Sequence, residues 1–552
     1  MAKKLKIIPL GGLNEIGKNM TVYEYGKDMI LVDCGMGFPD DNMYGVDMVV
    51  PDVSWLIENK SRLRGIFLTH GHEDHTGALP YVIEKLNAPI YATKLTAGLA
   101  ELKLGEHDLL EKAKIVAVEP GEKISAGCFT VEFIHVNHSI ADSVAFAVGT
   151  PAGTVIHTGD FKIDVTPVSG GMTDLTRFGE LGREGVLALL MDSTNVERAG
   201  WCPSESKVQE RLDTLFKDCE KRIILTTFAS NIDRIRQVIE LADKYKRKVA
   251  ITGRSMENAV RLSIQLGYMK VPDGVLIDMK RIHSVPDARL VIMSTGSQGE
   301  SMSALYRMAF SEHKQVEIGP GDRVILSASA IPGNETTVTR VVDELVAKGA
   351  EVVYERGTDL HVSGHACQEE LKMMYALTRP RFFVPVHGER RMLHKSAEMI
   401  CGMGHDSRRI LIGENGLVME FTPKTARFGE AVPSGKVLLD GIGTEDVGSV
   451  VQRDRRHLAE EGMLVIVMTL SGENGSLVSG PDLIGRGFVY EKESDRQMEE
   501  LRRVVTDSLD YCRIHKISDR TSIKGKVRAT LSGYLYRTTK RSPMIIPVIM
   551  EV

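Results

Sequence analysis

Residues 69–77 read Thr-His-Gly-His-Glu-Asp-His-Thr-Gly, which places His70, His72, Asp74 and His75 within six residues. The apolar run Gly65–Thr69 leads into them and reads as a buried strand. Alternation along an extended turn points His70 and His72 the same way, while Asp74 and His75 turn toward a second point. Imidazole and carboxylate together suit zinc, with manganese as the alternative. Four ligands in one loop are too many for a single catalytic ion that also draws ligands from elsewhere, so two neighbouring ions fit better. A polar surface loop is the bland reading, but this many histidines and acids packed together call for a cation to organise them.

More ligands stand at strand ends. His138 follows the alternating run Phe129–Ile134, Asp160 ends Thr154–Asp160, and His387 ends Phe382–His387. One ion is expected on His70, His72, His138 and Asp160. The other is expected on Asp74, His75, Asp160 and His387, with Asp160 bridging. A water or hydroxide between two such ions would be the nucleophile for in-line phosphoryl chemistry.

The pattern His-x-His-x-Asp-His with later His, Asp and His resembles the metallo-β-lactamase superfamily. That superfamily includes thioesterases, lactonases and nucleases, so the pattern alone names no substrate. Between Asp160 and His387 lie 226 residues, enough for an inserted domain. Within it Arg222–Thr227, Lys248–Thr252, Gly274–Met279, Leu290–Ser294 and Arg323–Ser327 read as buried strands. Asn231–Tyr245 and Met256–Leu266 read as helices. The alternation implies an α/β layer with a largely parallel sheet. Its borders resemble the β-CASP nuclease branch: Asp192 in Asp-Ser-Thr-Asn, His365 in His361–Ala366, His387 in Pro-Val-His-Gly-Glu, and Phe228–Asn231. The opening Pro9–Asn19 and the closing Thr539–Val552 extend the resemblance over nearly the whole chain, to the ribonuclease J family.

That resemblance implies an α/β protein: a metallo-β-lactamase αββα sandwich, an inserted β-CASP α/β domain and a small C-terminal α+β domain. The expected boundaries are 1–200 and 359–437 for the sandwich, 201–358 for the insert, a linker at 438–447, and 448–552 for the last domain. There Met463–Leu470 and Met544–Glu551 read as strands and Asp495–Cys512 as an amphipathic helix. The family implies a 5′→3′ exoribonuclease favouring single-stranded RNA with a 5′ monophosphate, often with endonuclease activity. It further implies roles in RNA decay and in rRNA and mRNA processing, homodimers or homotetramers built on the C-terminal domain, and RNA-decay partner proteins.

His365 is the candidate general acid for the leaving 3′ oxygen, because imidazole titrates near neutrality. Its rival role is to hydrogen-bond Asp160 or His387. Asp192 is expected to orient a metal-bound histidine, and Asp74 could double as a base. For substrate phosphate, His361, Ser363, Gly364 and His365 lie in a small-residue loop whose N–H groups could hold an anion. Ser230 and Asn231 begin a helix whose free amides attract anions, and Arg254 could add charge. Thr295–Glu300, with Ser297, is another loop-to-helix start. Ordinary capping is the competing reading for Ser230, Asn231 and Ser297. His135 and His157 alternate away from the ligands and read as supporting or structural.

At 552 residues, two or three domains are expected, and a 43% hydrophobic share suffices for large cores. The start is charged and lacks a signal-peptide pattern, and no apolar run is long enough to span a membrane. The seven cysteines, Cys34, Cys128, Cys202, Cys219, Cys367, Cys401 and Cys512, lack CxxC spacing, which suggests reduced thiols in the cytoplasm. A net charge of −5 argues mildly against nucleic-acid binding. Two divalent ions and a basic channel would offset it. Lys516–Arg541 carries eight Lys or Arg and one acid, with Tyr534 and Tyr536, and reads equally as RNA contact or solvated face. Asp40, Asp41, Asp47 and Asp52 could form an added calcium or magnesium site or simply a solvated acidic loop; Asp33 resembles a structural position of the superfamily. The rival functions are a small-molecule metallohydrolase, a catalytically silent RNA-binding scaffold and a DNA-processing nuclease.

Overall fold

The computed structural model describes residues 3–40, 42–296, 303–328, 335–354, 360–441, 446–472, 475–487 and 494–552. The chain forms two units, Met1–Gly37 with Val50–Lys436, and Phe38–Val49 with Val437–Val552.

The first unit contains two sheets packed face to face. An eight-stranded sheet runs in the order Ala426–Ala431, Leu417–Phe421, Leu5–Gly11, Met20–Tyr25, Asp28–Val32, Leu63–Phe67, Ile90–Ala92, Ile115–Ala117. A six-stranded sheet runs Phe382–Val386, Val186–Asp192, Gly153–His157, Val144–Thr150, Phe129–His135, Lys123–Ala126. Their inner faces share one core, where Ile7, Tyr23, Val32 and Phe67 meet Phe133, Phe146, Val155 and Leu190. Val186–Asp192 is buried along its whole length, as a central strand with parallel partners on both sides should be. Outside the second sheet, Leu175–Glu184, Gln368–Thr378 and Arg390–Gly402 seat Phe178, Leu371, Met374 and Ile400 against Ile156, Leu189 and Phe383. Outside the first lie Leu79–Leu86 and Lys94–Glu106, each burying an apolar stripe. This is the expected αββα sandwich.

The insert carries a third, six-stranded sheet, all parallel, in the order Leu276–Ile277, Lys248–Thr252, Leu290–Ser294, Ile223–Thr226, Arg323–Leu326, Glu351–Val353. Helices Glu205–Lys217, Ile232–Lys244 and Arg254–Leu266 cover one face, and Ala304–Ala309 and Glu335–Ala347 the other. The expected strand Gly274–Met279 shortens to Leu276–Ile277, because the Asp278 side chain accepts from Lys280 N and starts a 3-10 turn at Met279–Ser284. Thr295 and Gly296 are described, but Ser297 and the rest of that loop-to-helix start lie outside the described residues.

In the second unit, Leu477–Arg486, Met463–Leu470 and Met544–Glu551 form a three-stranded sheet. Met463–Leu470 alternates half-buried and buried, so a single face meets the helices Ser494–Ile514 and Arg520–Thr539. Lys436–Leu439 is a strand, which overlaps the start of the linker expected at 438–447. Asp47 N donates to Leu439 O at 2.9 Å and Gly441 N donates to Asp47 Oδ2 at 2.6 Å, which fastens the early loop to this unit.

Arg234 is fully buried and ties the insert to the returning chain. Its Nε donates to Glu205 Oε1 at 2.9 Å, and its Nη1 to Leu360 O at 2.7 Å and Ser327 O at 3.2 Å. Arg234→Ala leaves Glu205 and these carbonyls unpaired and should cost about 3 kcal/mol, read from urea unfolding.

Candidate metal centre

The Leu63–Phe67 strand delivers the His-rich loop to the edge of the sandwich, and a short helix, Glu73–Thr76, turns it back. Three backbone bonds pin that turn: Cys34 N to His75 O at 2.7 Å, Met36 N to Glu73 O at 3.0 Å and Asn19 N to Asp74 O at 3.0 Å. Gly35 is obligatory in this arrangement, since a Cβ there would stand 1.7 Å from Asp74 O. Asp33, at φ 60°, organises the other side. Its Oδ1 accepts from Thr69 N at 2.8 Å, and its Oδ2 lies 2.7 Å from His75 Nδ1. A proton on Nδ1 leaves the His75 Nε2 lone pair free to face the centre.

The donor atoms gather in overlapping groups. His70, His72 and His138 form one; Asp74, His75, Asp160 and His387 form another, and Asp160 and His387 also close up with Asp192 and His365. In the first, His72 Nδ1 lies 3.0 Å from His70 Nε2 and 3.2 Å from His138 Nε2. In the second, Asp160 Oδ2 lies 3.2 Å from His75 Nε2, and His387 Nε2 lies 3.3 Å from Asp74 Oδ2. Asp160 connects the two, with Oδ2 also 3.7 Å from His70 Nε2 and 3.8 Å from His138 Nε2. Its Oδ1 is buried with no hydrogen-bond partner. Burial pushes His70 and His138 well below the usual imidazole range and His72 down to about 4, so all three present neutral lone pairs. Crowded lone pairs beside an orphaned carboxylate oxygen form a donor set that fits divalent cations. All seven expected ligands are brought together.

A second layer fixes the ligands. His138 Nδ1 donates to Gly364 O at 2.8 Å, and a Cβ on Gly364 would meet the His138 ring at 2.6 Å. Gly364 therefore supports a ligand by close approach. Asp192 Oδ2 holds His365 Nδ1 at 2.7 Å, and the Thr194 hydroxyl lies 2.7 Å from both Asp192 Oδ1 and His387 Nδ1. His365 Nε2 stands 4.0 Å from Asp160 Oδ2, and its ring stacks on His387 at 5.4 Å. Burial lowers the His365 pKa, but Asp192 and Asp160 outweigh it and leave it above the ordinary value. Asn195 Nδ2 donates to Ser363 Oγ at 2.7 Å and His365 O at 2.9 Å, fastening the loop that carries both.

Of the expected phosphate-binding residues, Asn231 caps its helix, with Oδ1 accepting from Arg234 N at 3.0 Å. It also lines a polar pocket with His138, Ser139, Lys162 and Asp164. Ser230 immediately precedes it. Arg254 starts its helix at an exposed position. His361 has a buried, unpartnered Nδ1. Burial first, then the charges of Arg234, Arg198 and Lys162, lower its pKa to about 4. His157 lies against Tyr23 OH at 3.0 Å, and His135 Nε2 donates to Gly171 O at 3.3 Å. Among the described acids of the early loop, Asp33 serves Thr69 and His75, Asp52 accepts from Ser54 N, and Asp47 takes Gly441 N. Asp41 lies outside the described residues.

Sequence reasoning missed Asn19, Thr194 and Asn195 as working side chains. Asn19 Nδ2 stands 3.0 Å from His75 Nε2. All three lay inside motifs already singled out; what was lacking was the fold that turns them inward.

Matches to family descriptions cover most of the chain: the metallo-beta-lactamase superfamily over 13–175, the ribonuclease J beta-CASP domain over 220–345, the Zn-dependent metallo-hydrolase RNA specificity domain over 349–407, and the ribonuclease J C-terminal domain over 450–552. Ribonuclease J2 of Bacillus subtilis (strain 168) is 40% identical over 554 residues, covering 100% of this chain and 99% of that one. The chain belongs to the ribonuclease J family. Ribonuclease J of Thermus thermophilus is 42% identical, covering 99% of this chain and 95% of that one. Ribonuclease J of a Synechocystis species is 42% identical, covering 98% of this chain and 86% of that one. A crystal structure of a protein of unknown function from Enterococcus faecalis shares the fold, with a TM-score of 0.54 at 17% identity, covering 76% of this chain and 100% of that one.

Two outcomes follow from this geometry. Asp33→Asn removes the acceptor that fixes His75 and should weaken metal retention by about 10–100-fold, read as metal content after dialysis against graded chelator. His361 is held neutral, so its contribution to stability is complete above about pH 6.5 and is lost as pH falls toward 4. His361→Gln should flatten that part of the pH–stability curve by on the order of 2 kcal/mol at its acid end, read from unfolding at stepped pH.

Proposed function

We propose that this ribonuclease J family chain is a metal-dependent 5′→3′ exoribonuclease that prefers single-stranded RNA with a 5′ monophosphate and also makes internal cuts. The observation that carries the reading is the Asp192–His365 pair set beside the seven-ligand cluster, with His365 Nε2 only 4.0 Å from Asp160. A simple small-molecule hydrolase has no need of such a proton carrier at the insert border.

The metal ligands are His70, His72, Asp74, His75, His138, Asp160 and His387. Zinc is the favoured pair of ions, supported by the imidazole-rich donor set; manganese is the alternative, supported by the oxygens of Asp74 and Asp160. Such ions, when bound, supply Lewis acidity and lower the pKa of water at the scissile phosphate. Asp74 accepts a proton from the attacking water. Asp192 holds His365 through Nδ1, so Nε2 carries the proton that passes to the leaving 3′ oxygen. Thr194 and Asp192 together keep His387 turned toward Asp74.

His361, Ser363, Gly364, Ser230 and Asn231 form the terminal phosphate pocket. Supporting this is the neutral His361, whose pKa burial and then the charges of Arg234, Arg198 and Lys162 lower, and which a bound anion would raise. A pocket of this kind admits a monophosphate and rejects a triphosphate by size and charge, which sets the register of cleavage. The setting is cytoplasmic RNA decay and rRNA and mRNA processing, with RNA-decay partner proteins. Homodimers or homotetramers form through the C-terminal unit, whose sheet leaves Ile484, Ile546, Val548 and Met550 exposed. No helix among the described residues is long and apolar enough to cross a membrane.

The test is 5′-labelled, 5′-monophosphorylated RNA with metal-loaded protein. Expected is rapid release of labelled mononucleotide, weak with a 5′ triphosphate and lost in Asp74→Ala/His75→Ala. Internal fragments alone would make the chain an endonuclease, and no metal-dependent cleavage would remove the ribonuclease reading. His365→Ala should slow cleavage about 10²–10⁴-fold while metal content and RNA affinity hold.

A further inference from the structure

Cys202 and Cys367 come from distant parts of the chain and meet beneath the loop that carries His365. Cys202 N and Cys367 N both donate to the same oxygen, Glu370 Oε2, at 2.6 Å and 2.8 Å. The two backbone nitrogens are therefore no farther apart than the sum of those lengths. The shared acceptor brings the two backbones side by side. The two thiols are close enough to influence each other's proton affinity. Cys202 Sγ donates to Ser363 O at 3.0 Å. Cys367 is the N-cap of the 11-residue helix Gln368–Thr378. The neighbouring Cys202 thiol and the Arg198 charge favour its thiolate, while burial and Glu370 oppose it, and the net effect lies below the ordinary thiol value. Both cysteines are buried, at 8% and 5% exposure, while Trp201 beside Cys202 is 49% exposed.

We propose that Cys202 and Cys367 are a redox-modifiable dithiol that a hydroperoxide converts to a disulfide, and that closing it slows catalysis by disturbing the Ser363–His365 loop. The chemistry balances with hydrogen peroxide. The Cys367 thiolate attacks one peroxide oxygen; the S–O bond forms, the O–O bond breaks, and the departing hydroxide takes a proton to become water. Cys202 then gives up its proton and attacks the sulfenic sulfur; the S–S bond forms, the S–O bond breaks, and a second water leaves. Peroxide is reduced to two waters as the two thiols are oxidised. Closing the bridge removes the donor from Ser363 O and draws together the chain on both sides of the loop that Asn195 otherwise holds by Ser363 Oγ and His365 O. The effect on rate rests on the function proposed above; formation of the bridge does not.

The metal-loaded, reduced protein is treated with hydrogen peroxide, then divided between thiol alkylation with peptide mass analysis and RNA cleavage. The expected result is a Cys202–Cys367 linked peptide, a several-fold loss of cleavage rate, and recovery of both with dithiothreitol. Cys202→Ser and Cys367→Ser should cleave at the wild-type rate and keep it after peroxide. Both thiols still alkylated after treatment would overturn the site, a reading that needs no variant to fold. A complete bridge with unchanged cleavage, or equal loss of rate in the serine variants, would overturn the coupling to catalysis. Absence of cleavage before oxidation would sink the proposed function and leave the bridge measurable by mass.

Discussion

Asp160 carries a charge into the interior just beyond the strand Gly153–His157, with one oxygen shared among imidazoles and the other without a hydrogen bond, 3.6 Å from His387 Nδ1. A buried carboxylate so placed is costly unless cations face it. In the metal-free protein those cations must be protonated histidines. Burial opposes this, yet Asp160 and its neighbours raise His75 well above its usual range and lift His387 to about 10. Divalent ions would do the same work for both clusters at once, which is why one carboxylate can serve two groups of ligands. The sandwich supplies the rigid strand ends that hold this frustrated arrangement open for metal.

The layers around that carboxylate follow from it. Each ligand histidine must offer one nitrogen inward, so its other nitrogen needs a fixed partner. Asp33 does this for His75, Gly364 O for His138, and Thr194 for His387. Two of these partners are also where the insert and the returning chain join the sandwich. The metal centre is thus coupled to the loop of His361, Ser363 and His365, on which substrate recognition is proposed to rest. The Cys202–Cys367 contact lies under that same loop and shares the Glu370 carboxylate that anchors it.

The clustering of the seven donors was legible because a metal centre needs specific donor types, and those donors sit where apolar runs stop. The layer order of the fold and the parallel sheet of the insert were legible for a related reason: buried strands such as Leu290–Ser294 have few sequences open to them. What escaped were residues with ordinary chemistry in extraordinary places. Asn19, Thr194 and Asn195 are common polar residues of loops, and nothing in their spacing says that they face a metal ligand or the His365 loop. The shortening of Gly274–Met279 escaped too, because a single Asp278 cap outweighed an apolar run.

The sequence by itself determined the donors, the insert between Asp160 and His387, and the alternation that builds the sheets. These are local properties, set by residue type and period. Tertiary structure alone decided that the loop Phe38–Val49 joins the C-terminal unit through Asp47 and Leu439. It also decided that Gly364 must be glycine because the His138 ring lies against it, and that two cysteines 165 positions apart share one carboxylate oxygen. Each of these is a contact between segments remote in the chain, and only closure of the fold fixes which remote segments meet.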